Sequence, residues 1–83
     1  MHYVYVLQSE TGRLYVGRSS NLRQRFLQHK SKKVKSTKWW KQIKLVFYEA
    51  FSAKADTIRR EKYLKTSKGK SSLKQIIRKS LIQ

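Results

Sequence analysis

The chain has 83 residues, and its 21 Lys and Arg against four Asp and Glu give a formal net charge of +17. This length allows one small domain, which we expect to span residues 1–83. Because cysteine is absent and only two histidines are present, the composition excludes disulfides and thiolate metal sites and argues against a histidine-rich metal site. The apolar runs are too short for a transmembrane helix or a signal peptide, so we expect a cytoplasmic protein without a membrane partner.

The positive charge is the strongest signal in the composition. So large a surplus on a small chain predicts a polyanionic partner, of which nucleic acid is the commonest. Binding of this kind releases counterions and weakens steeply with salt. Nucleic acid is therefore the partner that we expect.

The first elements form a predicted β-hairpin. Residues 2–8 place aromatic and aliphatic side chains alternately on two faces, a period of two that is typical of a strand. The polar residues 9–12 include a glycine and suit a short loop, and residues 13–16 return as a second strand. Two antiparallel strands of this length bring Tyr5 and Tyr15 close together, so we expect two phenols in one patch.

The first helix is predicted over residues 21–29, with Ser19 or Ser20 as its N-cap. One stripe of this helix, at the spacing i, i+3, i+4 and i+7, consists of Leu22, Arg25, Phe26 and His29. Since the two apolar members face the core, Arg25 and His29 are expected along the edge of the buried face.

The segment that follows is rich in lysine. Residues 30–38 contain five lysines and one apolar residue, which predicts a mobile surface loop. Residues 42–51 alternate again, and we predict a third strand there.

The second helix is predicted to begin at the cap residue Ser52 and to run to Lys65. Ile58, Glu61 and Leu64 fall within one stripe of this helix. A glutamate therefore lies between two aliphatic residues that face the core. No other acid of the chain is predicted on a buried helical stripe.

The last helix follows a predicted break at residues 66–70, which contain Gly69. Ser71 or Ser72 is expected to cap it, and its apolar stripe consists of Leu73, Ile76, Ile77 and Leu81. The complete order is β-β-α-β-α-α. We predict an α/β domain in which three helices flank a small three-stranded antiparallel sheet.

Two tripeptides, Tyr3-Val4-Tyr5 and Tyr15-Val16-Gly17, resemble the pair that gives the GIY-YIG nuclease family its name. Residues further along also match, namely the helical Arg25, His29 four residues later, and Glu61 on the helix after the third strand. The resemblance covers nearly the whole chain. In size the chain resembles the short stand-alone bacterial members, which are similar to the catalytic domains of excision-repair and junction-cleaving endonucleases.

The resemblance implies an endonuclease that depends on a divalent metal and cuts DNA in repair, recombination or processing. Such hydrolysis needs an activated water, a neutralised phosphate and help for the leaving oxygen. Mg²⁺ or Mn²⁺ on Glu61 is the expected Lewis acid, and Arg25 offers a bidentate donor to the phosphate. Tyr5 and Tyr15 are placed to position or deprotonate the water, which requires a lowered phenol pKa, and His29 assists. The resemblance implies that one of the two tyrosines is the general base.

Further residues are predicted to bind nucleic acid. Gly17 is expected to end the second strand and to let the chain approach a phosphate, near a helix N-terminus that favours anions. Of the neighbouring Trp39 and Trp40, one is expected to pack and the other to stack on a base. The predicted nucleic-acid contacts are Gly17, Arg18, Ser19, Lys30, Lys32, Lys33, Lys35, Trp39 and Lys65.

Other interpretations stay open. The tyrosines also fit as core aromatics, and Glu61 as an i,i+4 partner of Lys65. A second class of function is a non-catalytic module that binds DNA or structured RNA on a degenerate nuclease fold. Two departures favour it: Tyr3 stands where the family motif has Gly, and no Asn follows Glu61, where the family often carries one. A third class is a nuclease subunit that a partner protein targets. The sequence leaves open which tyrosine is the base, which structure is cut, and the oligomeric state.

Overall fold

The computed structural model describes residues 1–81; residues 82 and 83 of the predicted domain lie outside the described part. The predicted order β-β-α-β-α-α is confirmed. The elements are β1 (His2–Ser9), β2 (Leu14–Ser19), α1 (Leu22–Lys30), β3 (Ile43–Phe51), α2 (Lys54–Leu64) and α3 (Ser67–Ile76). Within residues 1–81, no helix has the length and apolarity that crossing a membrane requires.

The three strands form one antiparallel sheet in the order β2-β1-β3. The central strand β1 is buried from Val4 to Ser9, because helices cover both faces of the sheet. In the register, Tyr5 lies opposite Gly17 on one side and Tyr48 on the other. The pairing with β3 shifts between Val6 and Leu7, where the ladder is irregular.

The period of two in β1 divides the apolar side chains into two cores. On one face, Val4 and Val6 pack with Leu64 of α2 and Leu73 of α3. On the other face, Tyr5 packs in a cluster that includes Leu7 and Trp40 with Leu22 and Phe26 of α1. The sheet therefore separates α1 from α2 and α3, and a site that uses residues of both layers must lie at an edge of the sheet.

The predicted start of α1 is wrong by a short distance. Strand β2 continues through Gly17 to Ser19, so Gly17 does not end it. The N-cap is Asn21, whose Oδ1 accepts from the Gln24 amide at 3.1 Å. Ser19 supports this cap, because its Oγ accepts from the Asn21 amide at 3.0 Å.

The predicted caps of the other helices are also wrong. Helix α2 starts after Ala53 without a side-chain cap. Helix α3 starts at Ser67, and Thr66 Oγ1 accepts from the Gly69 amide at 3.0 Å. Gly69 lies in the first turn instead of in a break, and a Cβ there would lie 1.9 Å from the Tyr63 carbonyl oxygen. Glycine is needed because the two helices approach closely at this point.

The lysine-rich segment is more firmly packed than the prediction of a mobile surface loop implies. Val34, Thr37 and Trp40 are all buried. Thr37 and Trp40 also close two turns, since the Trp40 amide donates to the Thr37 carbonyl at 3.0 Å. Beyond it, Glu10 accepts from the amides of Lys41 and Gln42 at 3.0 and 3.2 Å. The first hairpin loop is thus tied to the start of β3.

Candidate active site

Two tyrosines and a histidine converge on the α1 face of the sheet. Tyr5 comes from β1, Tyr15 from β2 and His29 from the last turn of α1. The Tyr5 and Tyr15 ring centroids are 6.2 Å apart, and the His29 ring lies 5.6 and 5.0 Å from them, edge-on. The predicted meeting of the two tyrosines is confirmed, because the antiparallel register places them on the same face of neighbouring strands.

A buried hydrogen-bonded chain fixes this cluster. The Tyr5 hydroxyl and His29 Nε2 share a hydrogen bond of 2.8 Å, and His29 Nδ1 and Thr37 Oγ1 share another of 2.8 Å. All three residues are fully buried. A neutral imidazole has one donor nitrogen and one acceptor nitrogen, and hydroxyl groups can partner either, so both tautomers are compatible with the chain.

The environment of His29 disfavours its charged form. Burial, aided by the positive charge of Arg25, lowers the pKa of His29 to about 4. The imidazole is therefore neutral at pH 7, and it serves as a hydrogen-bond partner of Tyr5 instead of as a cation that holds a phosphate.

Tyr5 is also held in its neutral form. Burial raises the pKa of Tyr5 to about 12, although the Arg25 guanidinium beside the hydroxyl acts in the opposite direction. Hydrogen bonding to Tyr5 in turn raises the pKa of Arg25. A cation therefore lies beside the phenols, but for the pKa of Tyr5 the effect of burial is larger. Tyr15 is half-buried, so it is the tyrosine whose side chain reaches the surface.

Gly17 lies directly under the two phenols. A Cβ at this position would lie 2.6 Å from the Tyr5 hydroxyl oxygen and 2.9 Å from Tyr15 Cε2. Gly17 is buried, so it shapes the site from within instead of lying at the surface that a nucleic acid would contact. The absence of a side chain lets Tyr5 lie flat across β2 and reach His29.

We expect Gly17→Ala to displace the Tyr5 hydroxyl and to reduce any phosphodiesterase activity at least tenfold, with a stability loss of about 1–3 kcal/mol from overpacking. Urea unfolding and a cleavage assay would measure the two effects. Gly12→Ala is the matched control, because its Cβ would meet nothing closer than 3.9 Å but its φ is +88°. That variant should lose stability through backbone strain and keep its activity. Wild-type activity in Gly17→Ala would contradict this account of the site.

An open cleft of about 390 Å³ lies beside this cluster, at the start of α1. Its lining includes Arg18 at the end of β2 and Arg25 and Gln28 on α1. Arg25 Nη1 donates to Gln28 Oε1 at 3.0 Å, which orients the guanidinium. Ser19, in the lining as well, lies before the helix N-terminus. Two arginines next to the positive end of a helix dipole make this cleft suitable for a phosphate.

Glu61 comes from the other layer of the fold and pairs with Arg18, which lines this cleft. Its Oε1 lies 3.3 Å from Arg18 Nε and its Oε2 lies 3.3 Å from Lys65 Nζ. Only 19% of its side chain is exposed. Arg18 and Tyr15 point to opposite faces of β2, so the edge strand carries both the phenol and the arginine that pairs with Glu61. The alternative interpretation, in which Glu61 pairs with Lys65, agrees with the structure, and Arg18 is a second cationic partner of Glu61.

The carboxylate of Glu61 is compatible with a divalent cation of the Mg²⁺ type. Mg²⁺ commonly uses one or two carboxylates and takes its other oxygens from water and substrate phosphates. Residues 1–81 contain no group of three or more His, Cys, Asp and Glu that could enclose a metal. Glu61 would therefore supply one carboxylate to such a cation, and the described residues do not form a preformed protein cage around it.

The other predicted nucleic-acid contacts lie on different parts of the surface, since Lys30 belongs to α1 and Lys65 follows α2. Lys30 and Lys32 line a second open cleft of about 410 Å³ together with Lys41 and Lys44. Lys32 donates to the Trp40 carbonyl oxygen. Lys33 and Lys35 are exposed, and Lys65 pairs with Glu61. Trp40 is buried and Trp39 is 82% exposed, which confirms that one of the two packs.

Thr37 is the functional candidate that sequence reasoning missed. It lies within a segment that has neither helical nor strand periodicity, so no pattern placed its side chain. Its hydrogen bond to His29 Nδ1 joins residues eight positions apart. A threonine shortly before two tryptophans was the local signal in the sequence.

A family profile and several known proteins are similar to this chain in sequence. A family profile described as the GIY-YIG catalytic domain matches residues 1–75. A UPF0213 protein of Staphylococcus haemolyticus is 37% identical over 76 residues, which are 90% of this chain and 93% of that protein. A UPF0213 protein of Clostridium perfringens is 34% identical over 82 residues, 98% of this chain and 88% of that protein.

A solved structure has the same fold. The solution NMR structure of a UPF0213 protein from Bacillus halodurans matches with a TM-score of 0.59 and 31% identity, over 90% of this chain and 83% of that one. The matching profile covers both tripeptides, α1 and Glu61. The chain therefore belongs to the GIY-YIG family of nuclease catalytic domains.

Proposed function

We propose that this protein is an endonuclease that hydrolyses phosphodiester bonds in DNA with the help of a divalent metal. The observation that carries the proposal is that Arg25 and Arg18 line one open cleft, while Arg25 interacts with Tyr15 and Arg18 pairs with Glu61. Two arginines supply phosphate binding, a half-buried phenol contacts water, and a carboxylate is available for a cation. A role in DNA repair, recombination or processing and a cytoplasmic location belong to the same proposal.

Each residue then has one task. Arg25 and Arg18 hold the non-bridging oxygens of the phosphate and balance the charge that develops on them. The Tyr15 hydroxyl oxygen accepts a hydrogen bond from the attacking water and aims it at phosphorus. Tyr5 and His29 hold Tyr15 and Arg25 in place from below. Glu61 holds Mg²⁺ or Mn²⁺, which when bound supplies Lewis-acid stabilisation of the phosphate oxygens.

A second candidate function has an observation of its own. In the structure Glu61 is neutralised by Arg18 and Lys65, an arrangement that a protein without a metal would also adopt. The candidate is a module that binds DNA or structured RNA through its positive surface and cuts neither. The two functions differ in whether a chelator has any effect.

The test is a cleavage assay on branched, nicked and single-stranded DNA with Mg²⁺, Mn²⁺ or EDTA. We expect cutting that requires the metal and that Arg25→Ala reduces about 100- to 1,000-fold, the usual cost of one group that stabilises transition-state charge. Arg59→Ala is the matched control, since it removes the same charge from an exposed arginine that pairs with Asp56. It should cut at the wild-type rate. Tight, salt-sensitive binding without cutting in either metal would establish the second candidate.

A further inference from the structure

We propose that a groove on the β3 side of α1 binds an unpaired nucleobase next to the phosphate in the arginine cleft, which makes nucleic acids with unpaired nucleotides the preferred substrate class. The inference rests on the proposed function and adds a substrate preference to it. The groove has a volume of about 570 Å³. Leu22, Phe26 and Leu45 form its floor, Tyr3 and Tyr48 one wall, and Arg23 its rim.

The tyrosine wall is the first reason. The Tyr3 and Tyr48 ring centroids are 6.2 Å apart with an interplanar angle of 60°. Tyr48 is 55% exposed, although it projects from the same face of the sheet as the fully buried Tyr5. Helix α1 has only nine residues and leaves this end of the sheet uncovered. A half-exposed aromatic ring over an apolar floor is the arrangement on which nucleobases stack.

Continuity with the arginine cleft is the second reason. Ser20 and Asn21 line both cavities, so the groove and the cleft meet over the first turn of α1. Arg18 and Arg25 lie on the cleft side of this junction and Arg23 on the groove side. A strand whose phosphate occupies the cleft can therefore pass over the helix start and place its next base in the groove. The positive charge on both sides complements a polyanion, which excludes an apolar peptide as the natural occupant.

The geometry also selects the state of the base. A base within a duplex is stacked on its neighbours and presents only its edges, so it cannot lie on the ring of Tyr48. A flap, a gap or a branch point supplies such a base without unpairing. Trp39 is the competing platform, but it lies outside this groove, and Lys38 Nζ already occupies one face of its ring at 5.0 Å.

The test is equilibrium binding by fluorescence anisotropy in EDTA. The probes are a labelled oligothymidylate of roughly ten nucleotides, within the range of single-strand sites, and an abasic strand of equal length and charge. The wild type should bind the thymidylate about tenfold more tightly. Tyr48→Ala should remove this preference and leave the affinity for the abasic strand unchanged, and Tyr48→Phe should retain it. Because Tyr48 is half-exposed, an unchanged amide NMR spectrum outside the groove is expected and confirms folding.

Three results would overturn the inference. They are equal affinity of the wild type for the two strands, an unchanged preference in Tyr48→Ala, and loss of the preference in Trp39→Ala, which would move the stacking to Trp39. These outcomes are separable from failure of the proposed function, because the binding assay contains no metal and involves no chemistry. A base preference without cleavage would contradict the proposed nuclease activity and support the nucleobase groove. Cleavage without a base preference would support the nuclease activity and contradict the nucleobase groove.

Discussion

Glu61→Gln is expected to reduce metal-dependent DNA cleavage at least about 100-fold while DNA binding stays intact or tightens slightly. The substitution keeps the size of the side chain and removes the charge that a divalent cation requires. It also raises the formal net charge of +17 by one, which favours a polyanion. Single-turnover cleavage and anisotropy binding in EDTA would separate the two effects.

The chain offers a matched control for this variant. Glu49 also pairs with an arginine, through two bonds of 2.7 and 3.1 Å to Arg60, but it lies away from the cleft. Glu49→Gln should cut at the wild-type rate. Since the Glu61 pairs are near the surface, Glu61→Gln should cost less than about 1 kcal/mol of stability. If Glu61→Gln cut DNA at the wild-type rate, Glu61 would not be a metal ligand. If the variant lost both DNA binding and cleavage, the role of Glu61 would be structural.

The folded protein is expected to lose stability as the pH falls from 6.5 toward 4, because of His29. The pKa of His29 in the folded protein is about 4, below the ordinary 6.5. Between these two pH values the unfolded chain therefore binds a proton on this histidine and the folded protein does not. The contribution of neutral His29 to the free energy of unfolding is complete above pH 6.5 and is lost toward pH 4. The maximum slope is about 1.4 kcal/mol per pH unit. The total loss is about 3 kcal/mol, a large fraction of the stability of a small domain.

Urea unfolding of wild type, His29→Gln and His2→Gln between pH 7 and pH 5 would measure this dependence. His29→Gln should be less stable at pH 7, because the bonds to Tyr5 and Thr37 are altered, but its stability should change little over the range. His2→Gln is the matched control, because it removes the other histidine of the chain and leaves the hydrogen bonds of His29 in place. The measurements stop at pH 5 because Glu10 adds a further loss of stability at lower pH. Hydrogen bonds from backbone amides lower the pKa of Glu10, so its contribution has the same sign as that of His29. Equal slopes in the wild type and His29→Gln would contradict the assignment.

The sequence predicted most of the fold because period and order are local properties. The alternation in β1 and the stripe that contains Leu22 and Phe26 each have one natural structure. The helix starts were harder, because two serines and an asparagine precede α1 and each can cap it, whereas the one serine before α2 does not cap that helix. Gly69 shows the same limit. In the sequence a glycine at this position indicates a helix break, and only the fold shows that Gly69 lets α3 approach the Tyr63 carbonyl closely.

The spatial arrangement of the candidate site was predictable to a similar degree. The register of a hairpin brings Tyr5 and Tyr15 together, and helical spacing carries Arg25 and His29 to the same face. Thr37 could not be found, because its position depends on how the segment before Trp40 packs. The neutral state of Tyr5 could not be found either, since burial and the charge of Arg25 act in opposite directions and their balance depends on the complete fold.

The strand order has a consequence for how the chain folds. The central strand β1 precedes both of its partners, and β3 begins more than 30 residues after β1 ends. Until β3 docks, the hairpin of β1 and β2 presents an open, apolar strand edge of the kind that pairs between molecules. The same positive surplus that attracts nucleic acid makes such partly folded chains repel one another. The charge therefore also protects the protein from aggregation during the time before β3 pairs with β1.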